Sequence, residues 1–273
     1  MNPVYGILGE DPRYGELVRL LELDGNTVYD RHNPIEALSA DVVVLPVPLT
    51  LDGEHMNLPG QPEMGEILSR LHPGQLILAG SVPRNWQETA QKQGLRLIDF
   101  LSREPVAVAN AAATADAAVA LAVERSGESL NGKRCLVLGF GRIGKLLCHR
   151  LRGLGAQVTA AARREEDRAW MRAYGYDALS IGRLHGALDG FAMVFNTVPA
   201  PVLDHALLGE LPKECLLMEL ASRQGFAPLA AEKRHLPVVK ASGLPGRMVP
   251  RTAAQILRNA VEDILREERG EPA

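Results

Sequence analysis

Residues 134–144 read Arg-Cys-Leu-Val-Leu-Gly-Phe-Gly-Arg-Ile-Gly and place three glycines directly after a short apolar run. The run Cys135–Leu138 predicts a buried strand, and the residues after Gly144 have helical spacing. Gly139 permits a tight turn, Gly141 lets a pyrophosphate approach the backbone, and Gly144 allows the helix to pack closely on the strand. The stretch therefore predicts a dinucleotide-binding turn, in which the free N–H groups of a helix N-terminus favour phosphate.

The next predicted strand ends in a pair of arginines. Val158–Ala162 predicts that strand, and Arg163 and Arg164 follow it directly, before the first carboxylate at Glu165. In a dinucleotide-binding domain an acidic residue here binds the ribose 2′-hydroxyl of NAD, whereas arginine accommodates the 2′-phosphate of NADP. A guanidinium also pairs well with phosphate. The arginines therefore favour NADP, the alternative being that they only begin an exposed helix.

The predicted cofactor-binding residues each follow a strand. A turn at Asn196–Pro199 comes after the strand predicted at 192–196 and would face the nicotinamide end. Parallel strands bring their carboxyl ends to one edge of a doubly wound sheet, where ligands bind. The full set of predicted cofactor-binding residues is Gly139, Gly141, Arg142, Ile143, Gly144, Arg163, Arg164, Asn196, Thr197, Val198 and Pro199.

The composition is that of a globular protein without a strongly charged surface. The chain has 273 residues, of which 46% are hydrophobic and 23% are charged, and its formal net charge is −3. This balance predicts neither nucleic acid nor an anionic membrane as a partner. We expect no signal sequence and no membrane span, because no uncharged apolar run has the required length. The three cysteines lack CxxC spacing, which favours a reducing, cytoplasmic location.

Strand and helix patterns alternate in both halves of the chain, which predicts parallel, doubly wound sheets. The Ala-rich segment 105–125 predicts a crossover helix, and Ala253–Glu268 predicts a last helix that packs back on the first domain. The predicted fold class is α/β, with two doubly wound parallel-sheet domains. The predicted domains are a flavodoxin-like domain at 1–104 plus 252–273, and a Rossmann NAD(P)-binding domain at 105–251.

No histidine follows the last predicted strand, where a two-domain hydroxy-acid dehydrogenase would carry its acid–base residue. The seven histidines fall on predicted helices or surface loops, and Asp52–His55 has the pattern of a polar turn. No histidines, cysteines and carboxylates have the spacing of metal ligands. Arg223 follows the strand predicted at 215–220 and suits an anionic substrate, the alternative being an exposed loop arginine. The sequence thus identifies no catalytic base and no metal site.

At these residues the chain resembles the A subunit of dipicolinate synthase from spore-forming bacteria. The resemblance extends over nearly the whole chain, and its motifs together are far more specific than a glycine-rich turn alone. Two segments depart from the family pattern: Gln224–Phe226 stands where the family has Pro-Gly-Gly, and Asp116-Ala117 replaces Glu-Gly. The motifs are 110–116 (NAAATAD), 137–144 (VLGFGRIG), 195–203 (FNTVPAPVL), 220–223 (LASR) and 243–252 (GLPGRMVPRT).

The resemblance implies that a dihydrodipicolinate, formed from 4-hydroxy-tetrahydrodipicolinate, is oxidised to pyridine-2,6-dicarboxylate with NADP as hydride acceptor. It also implies a partner B subunit and a cytoplasmic role in the mother cell during sporulation. Because the product ring is aromatic, a strong base is less necessary than groups that orient the ring and bind its two carboxylates. The residues that we place in this substrate site are Arg223, Ser222, Thr114, Asn110 and Ser81.

Two other functions fit the same residues. An NADP-dependent reductase of a small keto or imino acid would use this fold, and would need a histidine or lysine from the first domain. A catalytically silent NADP-binding subunit would only scaffold or regulate a partner enzyme. Hydride transfer by the purified chain, measured with and without a partner, distinguishes these alternatives.

Overall fold

The computed structural model describes residues 3–270, which fall into two compact units. The first unit comprises residues 3–110 and 245–270, and the second comprises residues 111–244. Each unit is built around its own parallel sheet.

The sheet of the first unit has five strands in the order β2-β1-β3-β4-β5, all parallel. This is the order typical of flavodoxin-like sheets. Asp11 begins the first helix, because its side chain accepts a hydrogen bond from the backbone N–H of Arg13. The strands are β1 (Tyr5–Ile7), β2 (Val28–Tyr29), β3 (Val42–Val44), β4 (Leu76–Ala79) and β5 (Arg96–Asp99), and the helices are α1 (Pro12–Leu23), α2 (Pro34–Leu38), α3 (Met64–Ser69) and α4 (Arg84–Lys92).

The long helix α5 (Glu104–Ser126) crosses from the first unit into the second. By length and composition it could span a membrane, but just over half of its most apolar window is buried in the described structure. Such a helix is weak evidence for a membrane span, because the core helix of a globular protein has the same properties.

The sheet of the second unit has six parallel strands in the order β11-β10-β9-β6-β7-β8. Counted from the first strand of the unit, this is the Rossmann order 3-2-1-4-5-6. The predicted α/β fold class with two parallel-sheet domains is therefore confirmed. The strands are β6 (Arg134–Leu138), β7 (Gln157–Ala162), β8 (Asp177–Ser180), β9 (Met193–Asn196), β10 (Leu216–Glu219) and β11 (Val238–Lys240), and the helices are α6 (Arg142–Gly153), α7 (Glu165–Ala173), α8 (His205–Glu210) and α9 (Pro228–Lys233).

Two further helices, α10 (Leu244–Met248) and α11 (Pro250–Glu268), end the described chain. The apolar face of α11 is buried in the core of the first unit, where Leu257 and Ile264 join the cluster around α1 and β1. At the surface, Arg258 pairs with Asp24 at 2.6 Å and holds α11 to the end of α1. The C-terminal helix is thus part of the first sheet's fold.

The units differ from the predicted domains, 1–104 plus 252–273 and 105–251, at both boundaries. The first unit continues to Asn110, because the first turns of α5 pack on its core through Val106. It resumes at Pro245, because Gly246 lies against the partly buried ion pair of Arg13 and Asp11.

All three cysteines are buried and unbonded to one another, and burial raises the pKa of each thiol to about 12. Since the thiolate is the reactive form, a raised pKa leaves almost none of it near neutral pH. We expect no reaction with an aromatic disulfide reagent at pH 8 in the folded protein. Unfolding in guanidinium should expose all three thiols, and rapid reaction of one thiol in the native state would contradict this burial.

Candidate functional site

The glycines of the turn after β6 have three different environments. Gly139 has a φ of +96°, and a Cβ there would lie 2.4 Å from the Oγ1 of Thr197. A Cβ on Gly144 would lie 2.2 Å from the carbonyl oxygen of Gly139, so α6 packs directly on the turn. A Cβ on Gly141 would meet no atom within 4 Å. Of these three glycines, Gly141 therefore has the open space that a bound pyrophosphate requires.

The helix α6 begins immediately at this open space. It has 12 residues, and Gly141 precedes it without a side-chain cap. The first N–H groups of such a helix have no partner within the helix, and they favour an anion. Arg142 begins the helix, and Lys145 lies one turn later with its Nζ 5.7 Å from the centre of the Phe140 ring. These residues fit the phosphates of a dinucleotide.

Of the two arginines that follow β7 in the described chain, Arg164 is paired with a carboxylate and Arg163 is not. Arg164 is bonded through Nε and an NH group to the carboxylate of Asp167, both at 2.9 Å, and this guanidinium lowers the pKa of Asp167. Glu165 is likewise paired with Arg172 and Arg168, and those contacts lower its pKa. Within residues 3–270, the exposed side chain of Arg163 has neither a hydrogen bond nor an ion pair.

Arginines offset part of the negative charge that follows β7. Two of the carboxylates that follow the strand are neutralised by arginines that begin or lie on α7. Of the two arginines that directly follow β7, Arg163 is unpaired within residues 3–270, whereas Arg164 is held by Asp167.

The turn after β9 is held by the side chains that begin it. Asn196 is buried, its Oδ1 accepts from the N–H of Val198 at 3.1 Å, and its Nδ2 donates to the Val198 carbonyl at 3.0 Å. The hydroxyl of Thr197 donates to the carbonyl of Leu138 at 2.8 Å. The polar atoms of both side chains thus shape the turn, and Val198 and Pro199 are the residues left to face a ligand.

The loop after β10 lies beside this turn, because Glu219 pairs with Asn196 in the register of the two strands. It carries Ser222 and Arg223, both exposed. In the part of the chain that the structure describes, the guanidinium of Arg223 has no hydrogen bond or ion pair. Arg223 is therefore available to bind an anion.

A small cavity of 170 Å³ lies at the carboxyl ends of β10 and β11. Ser222 and Gln224 line it from the loop, and Lys240 and Ser242 line it from the end of β11. Lys240 is exposed and brings a second cation to this edge of the sheet. Sequence reasoning missed Lys240, although its position as the last residue of a strand was a usable signal.

The other predicted substrate residues are divided between the units. Thr114 is buried on α5 in the second unit, whereas Asn110 is the last residue of the first unit before the boundary. Ser81 lies in the first unit, in the loop after β4, with a φ of +57°. The structure therefore brings Ser222 and Arg223 together with the turn at 196–199, and it places Ser81 and Asn110 in the other unit.

The turn at Asp52–His55 is built around one carboxylate. Asp52 accepts the backbone N–H groups of His55 and Glu54, which lowers its pKa, and it lies 2.7 Å from Nδ1 of His55, which raises the histidine's pKa. Its Oδ1 also accepts from the hydroxyl of Thr50 at 3.1 Å. Within residues 3–270, no group of three or more His, Cys, Asp or Glu side chains could hold a metal ion.

Known proteins are similar to both units of the chain. Residues 4–101 match the N-terminal domain of the A subunit of dipicolinate synthase, and residues 102–213 match the NAD-binding domain of D-isomer-specific 2-hydroxyacid dehydrogenases. The dipicolinate synthase A subunit of Bacillus subtilis (strain 168) is 28% identical over 197 residues. That match covers 71% of this chain and 66% of the relative, just under two thirds of its length.

Solved structures share the fold at lower identity. Dipicolinate synthase A chains from Bacillus subtilis and Bacillus halodurans superpose with TM-scores of 0.82 and 0.81, each at 24% identity. These matches cover 100% and 96% of this chain, and 98% and 97% of the relatives. An L-alanine dehydrogenase has a TM-score of 0.67 at 16% identity, covering 96% of this chain and 88% of its own.

The two domain matches identify the second unit as a nicotinamide-dinucleotide-binding domain of the dehydrogenase type and support an oxidoreductase role. The predicted resemblance is confirmed: the chain is similar to the A subunit of dipicolinate synthase, both in its N-terminal domain and over 197 residues of the Bacillus subtilis subunit.

Proposed function

We propose that this chain is the hydride-transferring subunit of a dipicolinate synthase, and that it oxidises a dihydrodipicolinate to pyridine-2,6-dicarboxylate with NADP. The observation that carries the proposal is the loop after β10, where Arg223, unpaired within the described residues, follows the strand next to the nicotinamide-side turn. Lys240 adds a second cation at the end of β11, the strand on the other side of β10. The substrate and the product each carry two carboxylates. An edge of the sheet with two cations suits a dianion, whereas a monocarboxylic keto acid needs only one.

The cofactor residues support a dinucleotide with a 2′-phosphate. The open space above Gly141 and the start of α6 receive the pyrophosphate, and Arg163 binds the 2′-phosphate. When bound, the oxidised nicotinamide accepts a hydride. Val198 and Pro199, which follow β9, position the ring that receives it.

The reaction balances with hydride and proton removal alone. The dihydropyridine ring loses one hydride to the oxidised cofactor and one proton to solvent or a nearby base, and becomes an aromatic pyridine. Arg223 binds one carboxylate and fixes the orientation of the ring. Because aromatisation stabilises the product, the main tasks of the site are to orient the dihydropyridine ring and to pair its carboxylates with cations.

The test supplies freshly generated 4-hydroxy-tetrahydrodipicolinate, which gives the dihydrodipicolinate by loss of water, to the purified chain with NADP or NAD. Oxidation of the dihydro compound is followed by NADPH or NADH absorbance. Formation of pyridine-2,6-dicarboxylate, identified by mass spectrometry, supports the proposal. Oxidation or reduction of a small keto or imino acid instead would identify the chain as a reductase of that class. Cofactor binding with no turnover, either by itself or with a B subunit, would identify a silent NADP-binding protein.

We also propose that the chain works with a partner, a B subunit, in the cytoplasm of the mother cell. The relatives described above are named as the A component of dipicolinate synthase. A partner that covers the loops after β9 and β10 would exclude water from a reactive dihydro intermediate. We expect the chain co-expressed with a B-type subunit to elute as one hetero-oligomer in size-exclusion chromatography, with turnover well above that of the chain alone. Full activity of the isolated chain, unchanged by the partner, would contradict this assembly.

A further inference from the structure

The end of β10 holds a buried carboxylate. Glu219 is 5% exposed, and it is the only buried Asp or Glu among the residues that the structure describes. Removing a charged group from water is costly unless hydrogen bonds compensate it. A glutamate at the end of an otherwise apolar strand therefore requires donors around it.

The donors come from the two loops that carry the candidate site. The Oε1 of Glu219 accepts from Nδ2 of Asn196 at 2.7 Å and from the N–H of Ala221 at 3.2 Å. Its Oε2 accepts from the N–H of Gly225 at 2.8 Å. One carboxylate thus binds the end of β9 and both sides of the loop after β10.

The hydrogen bonds around Glu219 restrict both the amide of Asn196 and the backbone at Gly225. Asn196 cannot rotate its amide without losing both of its bonds to Val198. Gly225 lies directly on that amide, since a Cβ there would be 2.1 Å from Nδ2 of Asn196. The carbonyl of Gly225 in turn accepts from the N–H groups of Val202 and Leu203 at 2.7 and 3.0 Å. The loops after β9 and β10 therefore form one hydrogen-bonded unit around Glu219.

Arg223 lies inside the segment that Glu219 holds. The bonded N–H groups belong to Ala221 and Gly225, so the carboxylate fixes the backbone on both sides of Ser222 and Arg223. Neither of these two side chains touches the carboxylate through a hydrogen bond among the described residues. Glu219 acts on them through the backbone alone.

We propose that Glu219 is a positioning residue, whose buried carboxylate holds the 221–225 loop so that Ser222 and Arg223 meet a substrate carboxylate. This inference rests on the proposed function for the identity of the ligand. The anchoring of the loop itself rests only on the hydrogen bonds and burial of Glu219.

The first test is Glu219→Gln, which keeps the size of the side chain but replaces one acceptor oxygen with an NH₂ group. That group faces either the N–H of Gly225 or the donors on Asn196 and Ala221. We expect the Kd for pyridine-2,6-dicarboxylate and the substrate KM to rise about fivefold, as for the loss of about one ordinary hydrogen bond. The Kd for NADP should rise by a smaller factor than the Kd for pyridine-2,6-dicarboxylate, because the glycine turn and Arg163, which we assign to its phosphates, do not contact Glu219 in the described structure.

Two control variants distinguish a positioning role of Glu219 from a general destabilisation of the fold. Glu232→Gln removes the same charge from an exposed position on α9 and should leave every value unchanged. Glu219→Asp keeps both acceptor oxygens and the negative charge on a shorter side chain, and should recover part of the product affinity lost in Glu219→Gln.

Amide hydrogen exchange tests the anchor without turnover. In the wild-type chain we expect the amides of Ala221 and Gly225 to exchange more slowly than those of Ser222, Arg223 and Gln224, and Glu219→Gln should reduce the difference. Equal exchange across the loop, or a Glu219→Gln variant with unchanged product affinity, would overturn the proposal. A wild-type chain that protects these amides but does not bind pyridine-2,6-dicarboxylate would refute the proposed substrate and leave the anchor intact.

Discussion

Replacing Arg223 with alanine is expected to lower kcat/KM for the dihydrodipicolinate about a hundredfold, a loss of roughly 2–3 kcal/mol. The guanidinium is exposed and unpaired within the described residues, so its removal disturbs no bond of the fold. What is lost is a charged hydrogen bond to a substrate carboxylate, in a position that also orients the ring. The measurement is steady-state kinetics with freshly generated substrate, together with calorimetric titration of NADP.

The matched control is Lys213→Ala, which removes one positive charge from the amino end of the same strand, β10, where Lys213 is exposed. We expect it to behave as the wild type. Arg223→Lys should restore part of the activity, because lysine keeps the charge but cannot pair in a bidentate way. If Arg223→Ala loses NADP binding and keeps its substrate KM, the arginine belongs to the cofactor site and our assignment is wrong.

The fold could be predicted from the sequence where a pattern was local. The apolar strands and the three glycines after Leu138 are such patterns, and the structure gives each glycine a distinct environment. The strand β8 was missed, because Asp177–Ser180 is a four-residue edge strand with polar ends. The short helices α2, α8 and α9 were also missed, since five or six residues hold too little periodicity to detect.

The candidate site could be predicted only in outline. Topology placed Arg223 next to the turn at Asn196, because the ends of adjacent parallel strands must meet. The direction in which each side chain points was beyond the sequence. Asn196 turns inward to Glu219, and Arg164 turns to Asp167, whereas both were predicted to contact the cofactor. The direction of each of these side chains depends on which hydrogen-bond acceptor lies within reach in the folded chain.

The two units share a way of fixing a loop. In the first unit Asp99, at the end of β5, accepts the N–H groups of Ser81 and Val82 at 3.2 and 2.9 Å, and so fixes the loop after the neighbouring β4. In the second unit Glu219 does the same for the loop after its own strand. An acidic residue that ends an apolar strand is therefore a sequence signal for a fixed loop at the ligand-binding edge. The signal is visible in Leu-Ile-Asp-Phe and Leu-Met-Glu-Leu.

The preference for NADP over NAD is expected to be about tenfold or more, and to depend on Arg163. The guanidinium is free within residues 3–270, and two of the three carboxylates that follow it, Glu165 and Asp167, are already paired with arginines. A charged hydrogen bond to the 2′-phosphate contributes about 1.5–3 kcal/mol. Calorimetric titration of the two cofactors at low and high salt measures the preference, and it should shrink with salt because the arginine is exposed.

Substitutions of Arg163 and Arg164 should have different effects, because Arg164 is paired with Asp167 and Arg163 is not paired within the described residues. Arg163→Ala should remove most of the preference without unfolding the chain, since that side chain makes no bond among the described residues. Arg164→Ala alone should have a smaller effect and also frees Asp167, which disfavours a phosphate. The double variant should bind NADP and NAD about equally, and Lys213→Ala should keep the wild-type ratio. Equal affinity for both cofactors in the wild type, or a preference for NAD, would show that these arginines only begin the helix α7.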